Sequence, residues 1–394
     1  MKDSKTALQI NKPKALMLAS VASMIDLFNA ENIDILEDTG CYIEVAANFQ
    51  EGSITSQQRV DEYKNELLQR GIVVHDVPIP RNIFQLTSII HSYQIIKKLV
   101  NERHYRIVHC HSPIGGVLAR LACRQARANG TNVIYTGHGL QFFKGAPLKN
   151  WMLFYPIERL CANITDIIIA INQEDYQREL SWKACKVEYV PGIGVDTKAF
   201  QNCVVDRDAM RKSFGFEDND FVFMSTGQIS VRKNHEVIIK ALEKVNDSHI
   251  KYLIVGFGEL EDKLKILTKE LGLENRVVFA GYRGDVKELL HCVDGFAFPS
   301  LQEGLPVALM EAMAVGLPIV CSRIRGNVDL IEDGKGGYLY DCHDVEGFAR
   351  GMMKIASSDS RVMGEMNKNT MKHYDKSVVN SSMLRIYKSI VDEK

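Results

Sequence analysis

The sequence predicts an α/β protein made of two Rossmann-like, doubly wound domains that face each other across a cleft. Three observations predict it. At 394 residues the chain exceeds the size at which a single core stops growing. Short apolar runs of strand length alternate with helical patterns, as parallel βαβ units require. That alternation pauses in a polar stretch near residue 195 and then begins again. The boundaries predicted are 1–195 and 196–375, with 376–394 as a C-terminal helix that packs back toward the first domain.

In the first half the strand-length runs are Ala15–Ser20, Tyr42–Ala47, Ile72–His75, Arg106–Cys110, Asn132–Thr136, Asp166–Ala170 and Val187–Val190. Between them, Leu86, Ile89, Ile90, Tyr93, Ile96 and Val100 follow helical spacing. Pro191–Thr197 and the polar residues up to Asp220 read as a linker. In the second half Phe221–Thr226, Lys251–Gly256, Arg276–Ala280, Gly295–Pro299 and Pro318–Cys321 read as strands. Helices are expected near Asn234–Val245, Glu259–Leu271 and Pro306–Val315. Ligands of such sheets bind at the carboxyl ends of the strands, so chemistry is sought in the loops there.

Bulk composition is that of a water-soluble globular protein, 46% apolar and 25% charged. A formal net charge of −1 argues against a general nucleic-acid binder. Nine cysteines without a C-x-x-C pair suit reduced thiols and a cytoplasmic location. Ala15–Ile25, preceded by four lysines, imitates a signal peptide, but its 11 residues are too few to span a bilayer. Asp26 follows at once, and the run reads as the first buried strand.

The most informative segment is Pro299-Ser-Leu-Gln-Glu-Gly-Leu-Pro-Val-Ala-Leu-Met-Glu311. A strand ends, a glycine loop follows, and Pro306 stands at the start of a helix that Gly316 and Pro318 stop. The free amides of Val307 and Ala308 would form an anion site at the helix N-terminus, suited to a diphosphate. Glu303 and Glu311 flank it, and carboxylates accept hydrogen bonds from vicinal hydroxyls such as those of a ribose or hexose. A second loop, Thr226-Gly-Gln-Ile-Ser-Val-Arg-Lys-Asn234, again joins a strand to a helix, which Asn234 is expected to cap. Arg232 and Lys233 there could neutralise charge building on a departing diphosphate.

Together these segments resemble the retaining glycosyltransferases of family 4, which have the GT-B fold. The resemblance rests on Glu303-Gly-Leu-Pro-Val-Ala-Leu-Met-Glu311, the Gly227–Asn234 loop, Val255-Gly-Phe-Gly258 and Val278-Phe-Ala-Gly281. It implies that Glu311 binds the ribose, Glu303 the transferred sugar, and Arg232 and Lys233 the diphosphate, helped by the backbone of Gly304 and Leu305. Gly281-Tyr282-Arg283 would receive the base through backbone contacts. In Tyr135-Thr-Gly-His138-Gly the histidine resembles the one that faces donor sugar and phosphate. The first loop, Ala19–Met24, lacks the paired glycines usual in the family. The resemblance makes the first domain acceptor-binding and the second nucleotide-sugar-binding. It implies transfer with retention from a nucleotide-sugar, UDP-linked, as co-substrate, with no cofactor and no essential metal.

Between Arg81 and Leu160 stand 11 Lys or Arg against Glu102 and Glu158, an excess of nine. Apolar residues interleave with these cations in Gln141–Tyr155. Such a face suits an anionic membrane surface or a lipid-linked pyrophosphate. Cys110-His-Ser-Pro-Ile-Gly-Gly116 and Lys144-Gly-Ala-Pro-Leu-Lys-Asn150 resemble enzymes of exopolysaccharide and capsule assembly. Those enzymes extend a saccharide on a polyprenyl diphosphate at the inner face of the plasma membrane.

Other signals are weaker. His109-Cys-His111 lacks a further metal ligand and reads as a strand edge lining the cleft. Asp206-Arg-Asp208 and Asp218-Asn-Asp220 lie in polar sequence and read as turns rather than metal sites. Gly256-Phe-Gly-Glu-Leu-Glu261 lacks the third glycine of a dinucleotide fingerprint, and no Walker loop occurs. The rival readings are a nucleotide-sugar epimerase or hydrolase and a non-enzymatic sugar-nucleotide sensor.

Overall fold

The computed structural model describes residues 12–184 and 186–393, in two compact units. One unit runs to Ile193 and resumes at Val379; the other is Gly194–Val378. Each holds one all-parallel sheet.

The first unit's strands are β1 (Lys14–Val21), β2 (Tyr42–Asn48), β3 (Val73–Asp76), β4 (Ile107–His111), β5 (Asn132–Gly137), β6 (Ile167–Ala170) and β7 (Lys186–Tyr189). Their order in the sheet is β3-β2-β1-β4-β5-β6-β7, so the chain reverses its direction of build between β1 and β4. β1 is buried along nearly its whole length, as a central strand covered on both faces must be. One face carries Ala15, Met17, Val45, Ile107 and Ile134. Helix Lys376–Val391 covers that face with Val379, Met383, Ile386, Tyr387 and Ile390, spaced as one helical stripe. The Ile390 carbonyl near that helix's end accepts from Arg106 Nη2 at 2.7 Å, a cation placed at the negative pole of the helix.

The second unit's strands are β8 (Phe221–Thr226), β9 (Ile250–Val255), β10 (Val277–Gly281), β11 (Gly295–Phe298), β12 (Ile319–Ser322) and β13 (Gly337–Tyr340). The order β10-β9-β8-β11-β12-β13 places the reversal between β8 and β11. The loops that follow these two strands are the Gly227 loop and the Glu303 loop, so the fold brings the two candidate segments side by side. β13 has no counterpart among the strands expected from the sequence; Gly337 and two half-exposed tyrosines make it a weak apolar run.

Three expectations need correction. The polar stretch after residue 196 is not a linker. It forms helices Thr197–Gln201 and Arg207–Ser213, capped by Asp196 and Asp206 and tied down by Arg207 and Arg211 on Asp294. His109 and His111 are not a strand edge lining the cleft. β4 is central and both rings point to the face under the C-terminal helix, where they are fully buried. Several cations of the basic segment are paired internally, with Arg103 on Glu44, Arg120 on Glu158 and Arg127 on Asp166.

Candidate active site

At the β8/β11 reversal the backbone after Gly227 makes a 3₁₀ turn, Val231–Lys233, before helix His235–Lys244. This turn presents Arg232 and Lys233 to the facing loop. Arg232 Nη1 lies 2.7 Å and Lys233 Nζ 2.8 Å from the same oxygen, Glu303 Oε1. Leu301 N also donates to the Arg232 carbonyl at 2.8 Å, which clips the two loops together. Among the described residues none hydrogen-bonds Glu303 Oε2. Lys233 is largely buried, its Nζ 4.6 Å from the centroid of Phe298 at the end of β11. Burial lowers the Lys233 pKa and Glu303 opposes that shift.

Glycines allow this crowding. Gly227 has φ +134° and its missing side chain leaves room for the Lys233 stem. A Cβ on Gly256, itself at φ +144°, would run into the Gly227 carbonyl oxygen, and one on Gly258 into that of Ile229. The Val255-Gly-Phe-Gly segment is thus a close crossing of two backbones. Asn234 sits before the helix in a left-handed conformation with no side-chain cap, correcting the expected role. Its amide instead donates to the carbonyls of Pro299 (3.1 Å) and Cys342 (2.8 Å), because the preceding 3₁₀ turn aims it across the loop.

Helix Val307–Val315 starts directly after Pro306 and ends on Gly316 at φ +93°. Its N-terminus has no side-chain cap, and no described residue accepts from the amides of Gly304, Leu305, Val307 or Ala308. These are the donors an anion would take. The loop is held from behind by Arg325, whose Nε donates to the Glu303 carbonyl at 3.1 Å, and by Gly326, where a Cβ would strike the Gly304 oxygen. Arg325 was not anticipated; its signal would have been a buried arginine before a positive-φ glycine. Glu311, one turn into the helix, is half-buried. Burial raises its pKa to about 7, with Lys376 opposing.

Gly281 ends β10 with φ +66° and Tyr282 is 78% exposed beside Phe257, ring centroids 6.1 Å apart. Arg283 turns away: its guanidinium pairs with Asp285 at 2.8 Å and lies over Phe214. Arg232, Lys233, Gly227, Glu303, Gly304, Leu305 and Val307 therefore come together at one switch point. Tyr282 and Arg283 follow β10, two strands away.

His138 belongs to the other unit, just after β5. Its Nε2 lies 3.1 Å from His111 Nδ1, and His111 Nε2 lies 3.1 Å from Met17 Sδ. His109 bonds Tyr387 OH at 2.8 Å and Thr136 Oγ1 at 2.7 Å. Burial pushes the His138 pKa down to about 4. A cavity of about 200 Å³ opens beside it, walled by Met24, Tyr135, Gln141, Phe142, Phe154 and Glu158. Close approach to the first loop comes from the facing helix Pro113–Ala122. A Cβ on Gly115 would come within 2.9 Å of Ser20 N.

Two parallel doubly wound sheets with loops of this kind define a GT-B protein. HepE of Anabaena, solved with UDP and glucose, superposes with a TM-score of 0.74 at 21% identity, over 96% of this chain and 100% of that one. Residues 206–373 match the family described as glycosyl transferases group 1, and residues 48–172 the glycosyl transferase 4-like family. EpsD of Bacillus subtilis (strain 168), named provisionally a glycosyltransferase, is 33% identical over 96% of this chain and 97% of its own length. The UDP-Gal:alpha-D-GlcNAc-diphosphoundecaprenol alpha-1,3-galactosyltransferase of Escherichia coli is 31% identical over 73% of this chain and 74% of its own. The chain belongs to the family 4 glycosyltransferases.

Proposed function

We propose that the protein transfers a hexosyl or N-acetylhexosaminyl group from a UDP-sugar, with retention, to a hydroxyl of a lipid-linked saccharide in exopolysaccharide or capsule synthesis. The observation that carries this reading is the convergence of Arg232 and Lys233 on one oxygen of Glu303, beside the open amides of Gly304, Leu305, Val307 and Ala308. Two cations and a helix N-terminus would bind the diphosphate. Glu303 Oε2, free of partners among the described residues, would accept a hydroxyl of the transferred sugar, and Glu311 the ribose hydroxyls. The E. coli relative, named for a UDP-linked donor and a diphosphoundecaprenol acceptor, supports the substrate class.

The family that the chain resembles has no obvious protein nucleophile, and the same is proposed here. The acceptor would attack on the face the nucleotide leaves, and the leaving phosphate would take the acceptor proton. Arg232, Lys233 and the helix terminus would stabilise the charge that develops on that phosphate.

The basic face supports binding at the inner membrane surface. Helix Leu148–Ala162 exposes Leu148, Met152 and Leu160, while Lys149 and Arg159 have no acidic partner among the described residues. Its aromatics Trp151, Phe154 and Tyr155 are partly buried against the core around Phe142. No helix among the described residues is long and apolar enough to cross a membrane. A panel of UDP-glucose, UDP-galactose and their N-acetyl forms, with and without a polyprenyl-diphosphate saccharide, tests the reading. Transfer to the acceptor with an unchanged anomeric configuration is expected; epimerisation of a donor without acceptor would overturn it.

A further inference from the structure

We propose that the groove at the end of helix Leu148–Ala162 binds the phosphate headgroup of an anionic phospholipid between Arg159 and Lys183. The inference deepens the membrane-surface reading given above and rests on it. That reading names a face of the first unit; this one names a lipid site on it.

The groove has a volume of about 420 Å³ and is lined by Tyr155, Pro156, Arg159, Leu160, Asn163 and Lys183. Such a volume is ordinary for a small-molecule site. No acidic side chain among the described residues lines it, because the acids nearest in sequence are engaged elsewhere. Glu158 turns inward to Arg120, and Asp166 pairs with Arg127. Lys183, like Arg159, has no acidic partner among the described residues. Its place beside the helix is fixed by Trp182, which is buried and meets Tyr155 edge-on, ring centroids 6.3 Å apart. Asn163 adds an amide whose own contacts, to the carbonyls of Arg159 and Leu160, are long at 3.5 and 3.4 Å. Asn163 also stands at the helix C-terminus, whose negative pole opposes an anion. Two full cations against about half a charge leave the groove attractive.

An apolar path leads to it. Leu148, Met152, Pro156 and Leu160 recur every four residues, so they share one exposed face of the helix. Pro156 has no amide to give the Met152 carbonyl, a polar group that suits the headgroup boundary and not the hydrocarbon core. Acyl chains would follow the stripe while the phosphate enters the groove. There Arg159 offers a planar fork and Lys183 a point charge.

The occupant is a bilayer lipid, not the diphosphate of an acceptor. The helix begins beyond the carboxyl end of β5 and ends before the amino end of β6, about 22 Å further on. Arg159 and Asn163 therefore lie at the edge of the sheet opposite the loop that carries His138, whereas chemistry belongs at the carboxyl ends of the strands.

The test titrates dihexanoyl phosphatidylglycerol, below its micelle concentration, into the full chain by calorimetry. Saturable one-to-one binding is expected, about five-fold weaker or more for the phosphatidylcholine analogue, whose choline cancels the charge. Lys183→Gln should weaken binding about five-fold. Arg159→Lys keeps the charge but loses the fork, and Asn163→Leu changes no charge; each should weaken it about three- to ten-fold. Lys97→Gln, which removes a cation from helix Leu86–Arg103, should leave it unchanged. Equal affinity in the parent, Arg159→Lys and Asn163→Leu would overturn the site, as would inorganic phosphate binding as tightly as the lipid. Parent binding to anionic vesicles without binding of the short-chain lipid would overturn the site and keep the membrane reading. Binding of the short-chain lipid without vesicle binding would support the groove and strike the membrane reading.

Discussion

Lys233 Nζ and Glu303 Oε1 lie 2.8 Å apart, both side chains nearly buried, and Arg232 reaches the same oxygen. One carboxylate thus holds two cations in place before any phosphate arrives. The organisation of charge ahead of substrate is what makes such a site effective. Lys233→Ala should lower kcat/KM by about ten- to a thousand-fold and weaken UDP affinity, measured by steady-state kinetics and calorimetry. Unchanged values for both would remove the pair from the donor site.

Glu311 gives a pH dependence with a definite sign. Its folded pKa is raised to about 7, so burying this group favours the folded state below its unfolded pKa. That contribution is lost as pH rises through about 7. Ribose hydroxyls donate best to the ionised form, so UDP binding should expel a proton near neutrality. Calorimetry in buffers of differing ionisation enthalpy should show more release near pH 7 in the parent than in Glu311→Gln, where only the terminal phosphate of UDP contributes. The variant should also bind UDP about ten- to a hundred-fold more weakly, the worth of a charge-assisted hydrogen bond. Equal proton release in both proteins would detach Glu311 from the ribose.

Much of this was legible in sequence because parallel strands are buried on both faces and read as apolar runs. Pro306 and Gly316 likewise bounded their helix, since each acts through its own backbone. What failed to show depends on distant partners. His109 and His111 looked like a strand edge lining the cleft because Tyr387, which helps to bury His109, lies 278 residues away. The cation excess between Arg81 and Leu160 was overstated because Glu44 and Asp166, which neutralise Arg103 and Arg127, fall outside that window. Asn234 has cap chemistry and a cap position, yet a left-handed backbone sends its amide elsewhere. Polar residues between 196 and 220 imitated a linker because caps and ion pairs are polar too.

The crossing of the Gly256–Gly258 segment over the Gly227 loop predicts an effect on binding without any direct contact to ligand. Gly258→Ala would push its Cβ into the Ile229 carbonyl, and the loop that carries Arg232 and Lys233 would have to move. UDP affinity should fall about ten-fold or more, with a drop in melting temperature of a few degrees. Gly215→Ala, where the space for a Cβ is open, serves as the comparison for a glycine lost without that clash. Equal UDP affinity in the two variants would show that the crossing does not position the site.

The C-terminal helix closes the first unit's core, and Tyr387 is its polar anchor. Tyr387→Phe strips the partner from the buried Nδ1 of His109 and should cost about 1–3 kcal/mol, read from denaturant unfolding. Ile386→Ala, which opens a cavity in the same layer, should cost about 2–5 kcal/mol. UDP affinity should survive both, because the loops proposed to bind the nucleotide lie in the other unit. A loss of UDP binding without loss of stability would contradict this division.

Membrane binding should separate into an electrostatic and an apolar part. Lys149 and Arg159 stand on the helix whose Leu148, Met152 and Leu160 are each about 70% exposed, at 73%, 71% and 69%. Each cation near an anionic surface is worth about 1 kcal/mol, so Lys149→Gln with Arg159→Gln should weaken vesicle binding about thirty-fold. Raising the salt from about 0.1 M to 1 M shortens the screening length from about 10 Å to 3 Å and should do much the same to the parent. Leu148→Ser with Met152→Ser should instead remove the part that persists in salt. Sedimentation with anionic and neutral vesicles measures all three. Parent binding that ignores both lipid charge and salt would leave the basic residues as an ordinary solvated face.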